Sequence, residues 1–231
     1  MDNNKKITLC AYCGHREGST KDHVPPRALF IKPYPENMIA VPACEECHNE
    51  MSLQDEYFLM AIGFVLSGDE KKHAKYLTDK VKRALKRPEA KKLRADLINR
   101  TQDIEVHSVG GIYLGNAKGT KFDWPRLKFF AQRILKALYF EEYKKTLETS
   151  YQLNVFLSWF QKDSNIINSP EIKEILQFLA RSKARVVGDN VFQYWFSKVE
   201  DDCDSSFWYV RIAQEFGFFG IILPKQELTN Q

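Results

Sequence analysis

Cysteine is scarce in this chain, five among 231 residues, too few for the disulfide density by which small secreted domains make up for a thin core. Long apolar runs are also missing. The longest, around Ala61–Leu66, falls far short of the roughly 20 residues that cross a bilayer. The opening Met1-Asp-Asn-Asn-Lys-Lys has no apolar segment of the kind a secretory signal carries, so a cytoplasmic protein without a membrane partner is expected. Internal repeats and low-complexity stretches are absent. So is a helix-turn-helix fingerprint or any paired base-reading motif, which argues against a reader of specific sequence. Net charge is only +4 and selects no partner by itself. What is locally scarce is acid: from Lys71 to Arg100, twelve Lys/Arg face only Asp79, Glu89 and Asp96. With 44% hydrophobic residues, the chain has enough apolar surface for one sizeable core or for a small module and a larger body, and is not disordered.

The cysteines that are present are spaced as pairs. Cys10 and Cys13 form C-A-Y-C, and Cys44 and Cys47 form C-E-E-C-H-N. In a reducing compartment a doubled Cys-x-x-Cys reads as a four-thiolate zinc site. A two-residue spacer lets both sulfurs of a knuckle reach one tetrahedral ion. Four thiolates leave no open position, so this metal is expected to be structural. Cys203 stands alone and is expected to be a bystander.

Between and just after the pairs lie K-D-H-V-P-P (Asp22, His23), N-M-I-A-V-P (Asn37) and His48-Asn49. Phosphodiester hydrolysis needs a base for water and a cation for the charge on phosphate and leaving oxygen. Histidine has the pKa range for the base, and a carboxylate suits magnesium or manganese. Alternation along a strand would send Asp22 and His23 to opposite faces unless the strand ends there, as Pro25-Pro26 make plausible.

The order Cys-x-x-Cys, Asp-His-Val, Asn, Cys-x-x-Cys-His resembles the HNH endonucleases, with a ββα-metal centre. The K-D-H-V-P-P and D-E-Y-F phrases (Lys21–Pro26, Asp55–Phe58) resemble those of uncharacterised bacterial HNH proteins. The resemblance covers roughly residues 9–58. It implies a metal-dependent endonuclease in which His23 is general base, Asn37 orients that base, and Asp22 and His48 hold magnesium or manganese. Asn49 is the alternative to His48. It also implies that Cys10, Cys13, Cys44 and Cys47 hold structural zinc. Two other readings stay open: a zinc-stapled nucleic-acid-binding module without catalysis, and a nuclease effector triggered by a partner protein, as in anti-phage systems.

Expected elements are strands at Ile7–Leu9, Asp22–Val24 and Met38–Val41 (ended by Pro42), with a helical turn at Arg27–Phe30. A helix follows from Cys44 to Leu66, punctuated by Ser67-Gly68-Asp69, then helices at Glu70–Lys86 and Pro88–Asn99. Asp103–Val109 and Ile112–Leu114 read as a hairpin around Gly110-Gly111. A long amphipathic helix covers Leu127–Leu147, and Ser169 caps another to Ala180. Val155–Phe160 is strand or helix. Val191–Val199 and Phe207–Leu223 are expected as antiparallel strands, broken at Gly217 and Gly220. The fold class is therefore α+β: a treble-clef-like ββα-metal module over 1–68, then a mainly helical body with a small antiparallel sheet over 69–231. Lys82, Arg83, Lys86 and Arg87 are the candidates for tracking a phosphate backbone, DNA being the expected partner. The tail aromatics (Phe192, Tyr194, Trp195, Trp208) are expected mostly in the core, with base stacking as the alternative. Phe216–Leu223 is the segment that would pair with a second copy if the protein is a homodimer.

Overall fold

The structure, a computed structural model, describes residues 8–67, 69–158, 169–202 and 204–225. Ile7, Gly68, Trp159, Phe160 and Cys203, which enter the expectations above, lie outside the described residues. The chain is α+β, and its described residues form five helices and small antiparallel sheets. It divides into two compact units, one of Met1–Phe58 with Arg126–Gln231 and the other of Leu59–Pro125. These units cut the chain at 58 and 125 rather than at 68.

The first unit begins with a knuckle and a two-stranded hairpin, β1 (Thr20–Val24) against β2 (Ile39–Ala43). Pro42 does not end β2 as expected. It pairs with Lys21 and the strand runs on to Ala43. A two-stranded sheet has only edge strands, where a missing N–H costs nothing, and the Pro42 carbonyl instead accepts the Ala11 N–H at 2.8 Å. A 3-10 turn covers Arg27–Leu29. Helix α1 (Glu45–Val65) follows, with Glu45 and Glu46 at its positive end.

The C-terminal part of this unit is a five-stranded antiparallel sheet: β5 (Tyr151–Leu157), β6 (Arg185–Val187), β7 (Phe192–Lys198), β8 (Ser206–Ile212) and β9 (Phe216–Pro224), in the order β5-β9-β8-β7-β6. The ambiguous segment at 155 is thus strand over its described part. β9 lies between β5 and β8, so it is a central strand and not an edge open to a second copy. Nor does it break at its glycines. The chain reverses earlier, at Ala213 and Gln214, whose φ values are 51° and 64°. Phe192 and Trp208 are fully buried and Tyr194 nearly so, which puts these aromatics in the core.

Both faces of β9 are covered, which is why its sequence shows an apolar run instead of alternation. Helix α4 (Trp124–Tyr143) reaches one face: a Cβ on Gly220 would lie 2.1 Å from Leu135, so glycine permits the close approach. On that side Phe130 of α4 stacks on Phe58 of α1 with centroids 3.9 Å apart, and Phe216 meets Phe58 edge-on at 4.8 Å. The other face carries helix α5 (Pro170–Ala180), where Ile172 and Leu179 pack on Phe219. Ser169 caps α5, its hydroxyl accepting the Ile172 N–H. Helix α4, expected to reach Leu147, stops at Tyr143 because Lys144 turns left-handed (φ 55°).

The second unit holds α2 (Lys72–Leu85), a 3-10 turn at Pro88–Ala90 and α3 (Lys91–Arg100). A two-stranded ribbon follows, β3 (Thr101–His107) with β4 (Tyr113–Thr120). β4 is longer than the expected Ile112–Leu114 because the ladder continues past Gly115 to Thr101↔Thr120. Among the described residues no helix is long and apolar enough to cross a membrane.

Candidate metal centre

The two knuckles close on each other. The ligand atoms of Cys10, Cys13, Cys44 and Cys47 all lie within 4.8 Å of one another. Cys13 Sγ and Cys44 Sγ are 3.9 Å apart, close to the edge of about 3.8 Å that a tetrahedron of 2.3 Å metal–sulfur bonds requires. Local structure explains the gathering. Gly14, at φ 71°, folds the first knuckle back so that its N–H reaches Cys10 O at 2.9 Å. The Ala11–Pro42 hydrogen bond ties that knuckle to the end of β2, just before Cys44. Behind it, Thr146 donates to Cys10 O at 3.3 Å, a reach made possible by the early turn after α4.

Electrostatics explains why the cluster suits a cation. Burial opposes ionisation of Cys13, yet the His15 and Arg16 N–H groups and the Arg16 guanidinium outweigh it and take that thiol down to about 5. Cys47 goes the other way: burial, a hydrogen bond with Cys44 and the nearby sulfurs of Cys10 and Cys13 push it up. Four thiolates so close repel one another until a metal neutralises them. The cluster could therefore hold a metal such as zinc.

Beside this frame lies a buried polar network. Asp22 on β1 is 5% exposed, and its Oδ2 accepts from Arg133 at 2.7 Å and from the Tyr12 hydroxyl. The same guanidinium donates to Asp55 on α1. Burial raises the Tyr12 phenol well above its ordinary value, so it remains a donor. Two carboxylates thus share one arginine. Asp22 has the second donor and is the better compensated. Burial pushes Asp55 up to about 6, against the pull of Arg133.

The free side of Asp22 faces His48, whose Nδ1 is 3.8 Å from Oδ1. That nitrogen is buried and has no hydrogen-bond partner among the described residues. An orphaned imidazole nitrogen beside a carboxylate oxygen is a donor set that fits a divalent cation. Asn49 is exposed. The remaining expected residues are not gathered there. β1 is regular through Val24 with alternating burial, so His23 lies on the opposite face from Asp22. Burial, then Arg27 and Lys21, hold the His23 imidazole below its ordinary value, which favours the neutral form. The Asn37 amide donates to Val186 O at 2.8 Å, clamping its loop onto β6. No hydrogen bond joins it to His23 among the described residues.

Tyr12, Asp55 and Arg133 are the residues missed from sequence. Arg133 left a signal: it stands among Phe130, Ile134 and Ala137 on the buried stripe of α4, where a charge implies a buried partner. A cleft of about 720 Å³ opens beside the frame, reaching Tyr12, Cys13, Cys47 and Arg133.

In the second unit the basic residues sort into roles. Arg94 donates to the Leu85 and Arg87 carbonyls at the end of α2, and Arg100 pairs with Asp96 and Asp123. Lys82 is 4.0 Å from Asp79. Arg83, Lys86, Arg87, Lys91 and Lys92 are exposed and have no carboxylate partner among the described residues. Comparison of the chain with family models, with curated proteins and with solved structures finds no match.

Proposed function

We propose that the protein is a metal-dependent endonuclease of the HNH type acting on DNA. Cys10, Cys13, Cys44 and Cys47 hold a structural zinc in a treble-clef-like frame. The observation that carries the reading is the orphaned His48 Nδ1 next to Asp22 Oδ1, at 3.8 Å, beside that frame. A magnesium or manganese ion on Asp22 and His48 would supply charge stabilisation at the phosphate and leaving oxygen. His23, kept neutral by burial and by Arg27 and Lys21, takes the proton of the attacking water. Asn37 acts through its loop, which the Val186 contact holds in place. Arg133 fixes Asp22 by occupying Oδ2. The exposed cations of α2, α3 and the turn between them, Lys82, Arg83, Lys86 and Arg87 among them, hold the backbone of the substrate.

One observation favours a second reading. Asp22 already carries Arg133 and Tyr12 on one oxygen, and His23 lies across β1 from it. A binding module that keeps the zinc frame without hydrolysis would tolerate both facts.

Incubation of plasmid with purified protein and magnesium or manganese separates the readings. Cutting that needs the metal and falls at least 100-fold in His23→Ala is the expected result. Retention of DNA by both proteins with cutting by neither would leave the binding module. Cutting only after a partner protein is added would mean an effector subunit.

A further inference from the structure

Exposed apolar side chains are concentrated at one place in the second unit. Val109 is fully exposed, Ile112 is 69% and Leu114 64% exposed, all at or next to the turn of the β3–β4 ribbon. The turn is tight: Gly111 (φ 83°) donates to Ser108 O at 2.9 Å, and the Ser108 N–H returns to Ile112 O at 2.8 Å. Apart from its base, the ribbon is exposed over nearly its whole length. Seven paired residues at about 3.3 Å each give an arm of about 23 Å. Between Glu105 and Lys118 the sequence has no Asp, Glu, Lys or Arg. Nearer the base, Asp103 and Lys118 neutralise each other at 2.6 Å.

An uncharged arm with a β-branched tip has no electrostatic hold on phosphate, and isolated two-stranded ribbons gain little stability alone. It suits either a protein surface or the stacked bases of a duplex. The same unit decides between them. Arg83, Lys86, Arg87, Lys91 and Lys92 are exposed without carboxylate partners among the described residues, so a second copy of this unit would be repelled whereas a polyanion would be attracted. We propose that the β3–β4 ribbon is a DNA-deforming arm. Its Val109 and Ile112 side chains wedge into a base step from the minor groove while the α2–α3 cations hold neighbouring phosphates. Small apolar wedges unstack one step and kink a duplex by tens of degrees. The proposal rests on the reading of the protein as a DNA binder and is independent of its hydrolytic activity.

The test uses the full-length zinc-loaded protein without magnesium or manganese and an end-labelled duplex of about 30 base pairs. Energy transfer between the ends rises when the wild type bends the duplex. Val109→Ser/Ile112→Ser loses that rise and binds about tenfold more weakly, with an unchanged slope of log Kd against log salt. Arg83→Gln/Arg87→Gln keeps the bend at saturation but lowers that slope by about 2. Both positions are exposed, and unchanged melting of the serine variant shows that its fold is intact. Bending by the serine variant equal to wild type would overturn the wedge. Wild-type binding without any bend would also overturn it while sparing the DNA-binding reading. Absence of duplex binding even at low salt would remove both. A wild-type dimer that the serine substitutions dissociate, with DNA behaviour unchanged, would make the ribbon a self-association surface instead.

Discussion

Cys44→Ser is expected to reduce bound zinc from about one ion per chain to nearly none and to unfold the region from the first knuckle to the start of α1. The magnitude follows from how little else holds that region. Residues 8–19 contain one isolated bridge, Leu9 with Glu17, and β1–β2 is a lone hairpin. Structural zinc supplies on the order of 10 kcal/mol to such small modules. Part of that is retained here through Thr146 on Cys10 and Arg133 on Asp22. A loss of about 5 kcal/mol or more, read by denaturant melting beside a metal count, is the expected outcome. A variant that keeps full metal and full stability would show that the sulfurs do not act as one site.

Arg133→Met is expected to cost about 3–5 kcal/mol, the usual consequence of stripping a buried partner and leaving the opposite charge behind. The guanidinium side chain is 1% exposed and serves both Asp22 and Asp55. Adding Asp22→Asn and Asp55→Asn to Arg133→Met should recover most of the loss, because the stranded charges are then gone. A simple packing role would show no such recovery. The same network sets a pH dependence. Asp55, raised from 3.8 to about 6, binds a proton in the native state more readily than in the unfolded one. Stability therefore falls as pH rises from about 4 through 6, by on the order of 3 kcal/mol. Asp55→Asn should flatten that slope in unfolding curves.

These two features differ in how far the sequence revealed them. The cysteine frame was legible because its geometry is local: a two-residue spacer fixes each knuckle. The arginine partner of Asp22 lies 111 positions away, and no short pattern encodes a contact across that distance. Helices were legible from period and caps, as with Ser169 on α5. The exception was the end of α4, where a single left-handed lysine overrides an apolar pattern that continues to Leu147. Strand edges fared worse. Pro42 stops a ladder only where the N–H it lacks would face a paired strand, and β2 pairs with β1 alone in its two-stranded sheet. Gly220 marks the close approach of Leu135, not an interruption, and β6, with three residues, is too short to show a period. For the candidate site, sequence paired Asp22 with His48, and these two residues do lie together. It did not show that His23 lies across the strand.

Metal stoichiometry tests most directly whether a closed cysteine frame hosts a second, open cation site. Zinc-loaded protein titrated with manganese, followed by electron paramagnetic resonance, should bind about one further ion per chain. His48→Ala and Asp22→Asn should abolish that ion while leaving zinc in place, and Asn49→Ala should retain it. Failure of the wild type to bind manganese, or its loss in Asn49→Ala but not in His48→Ala, would contradict the account.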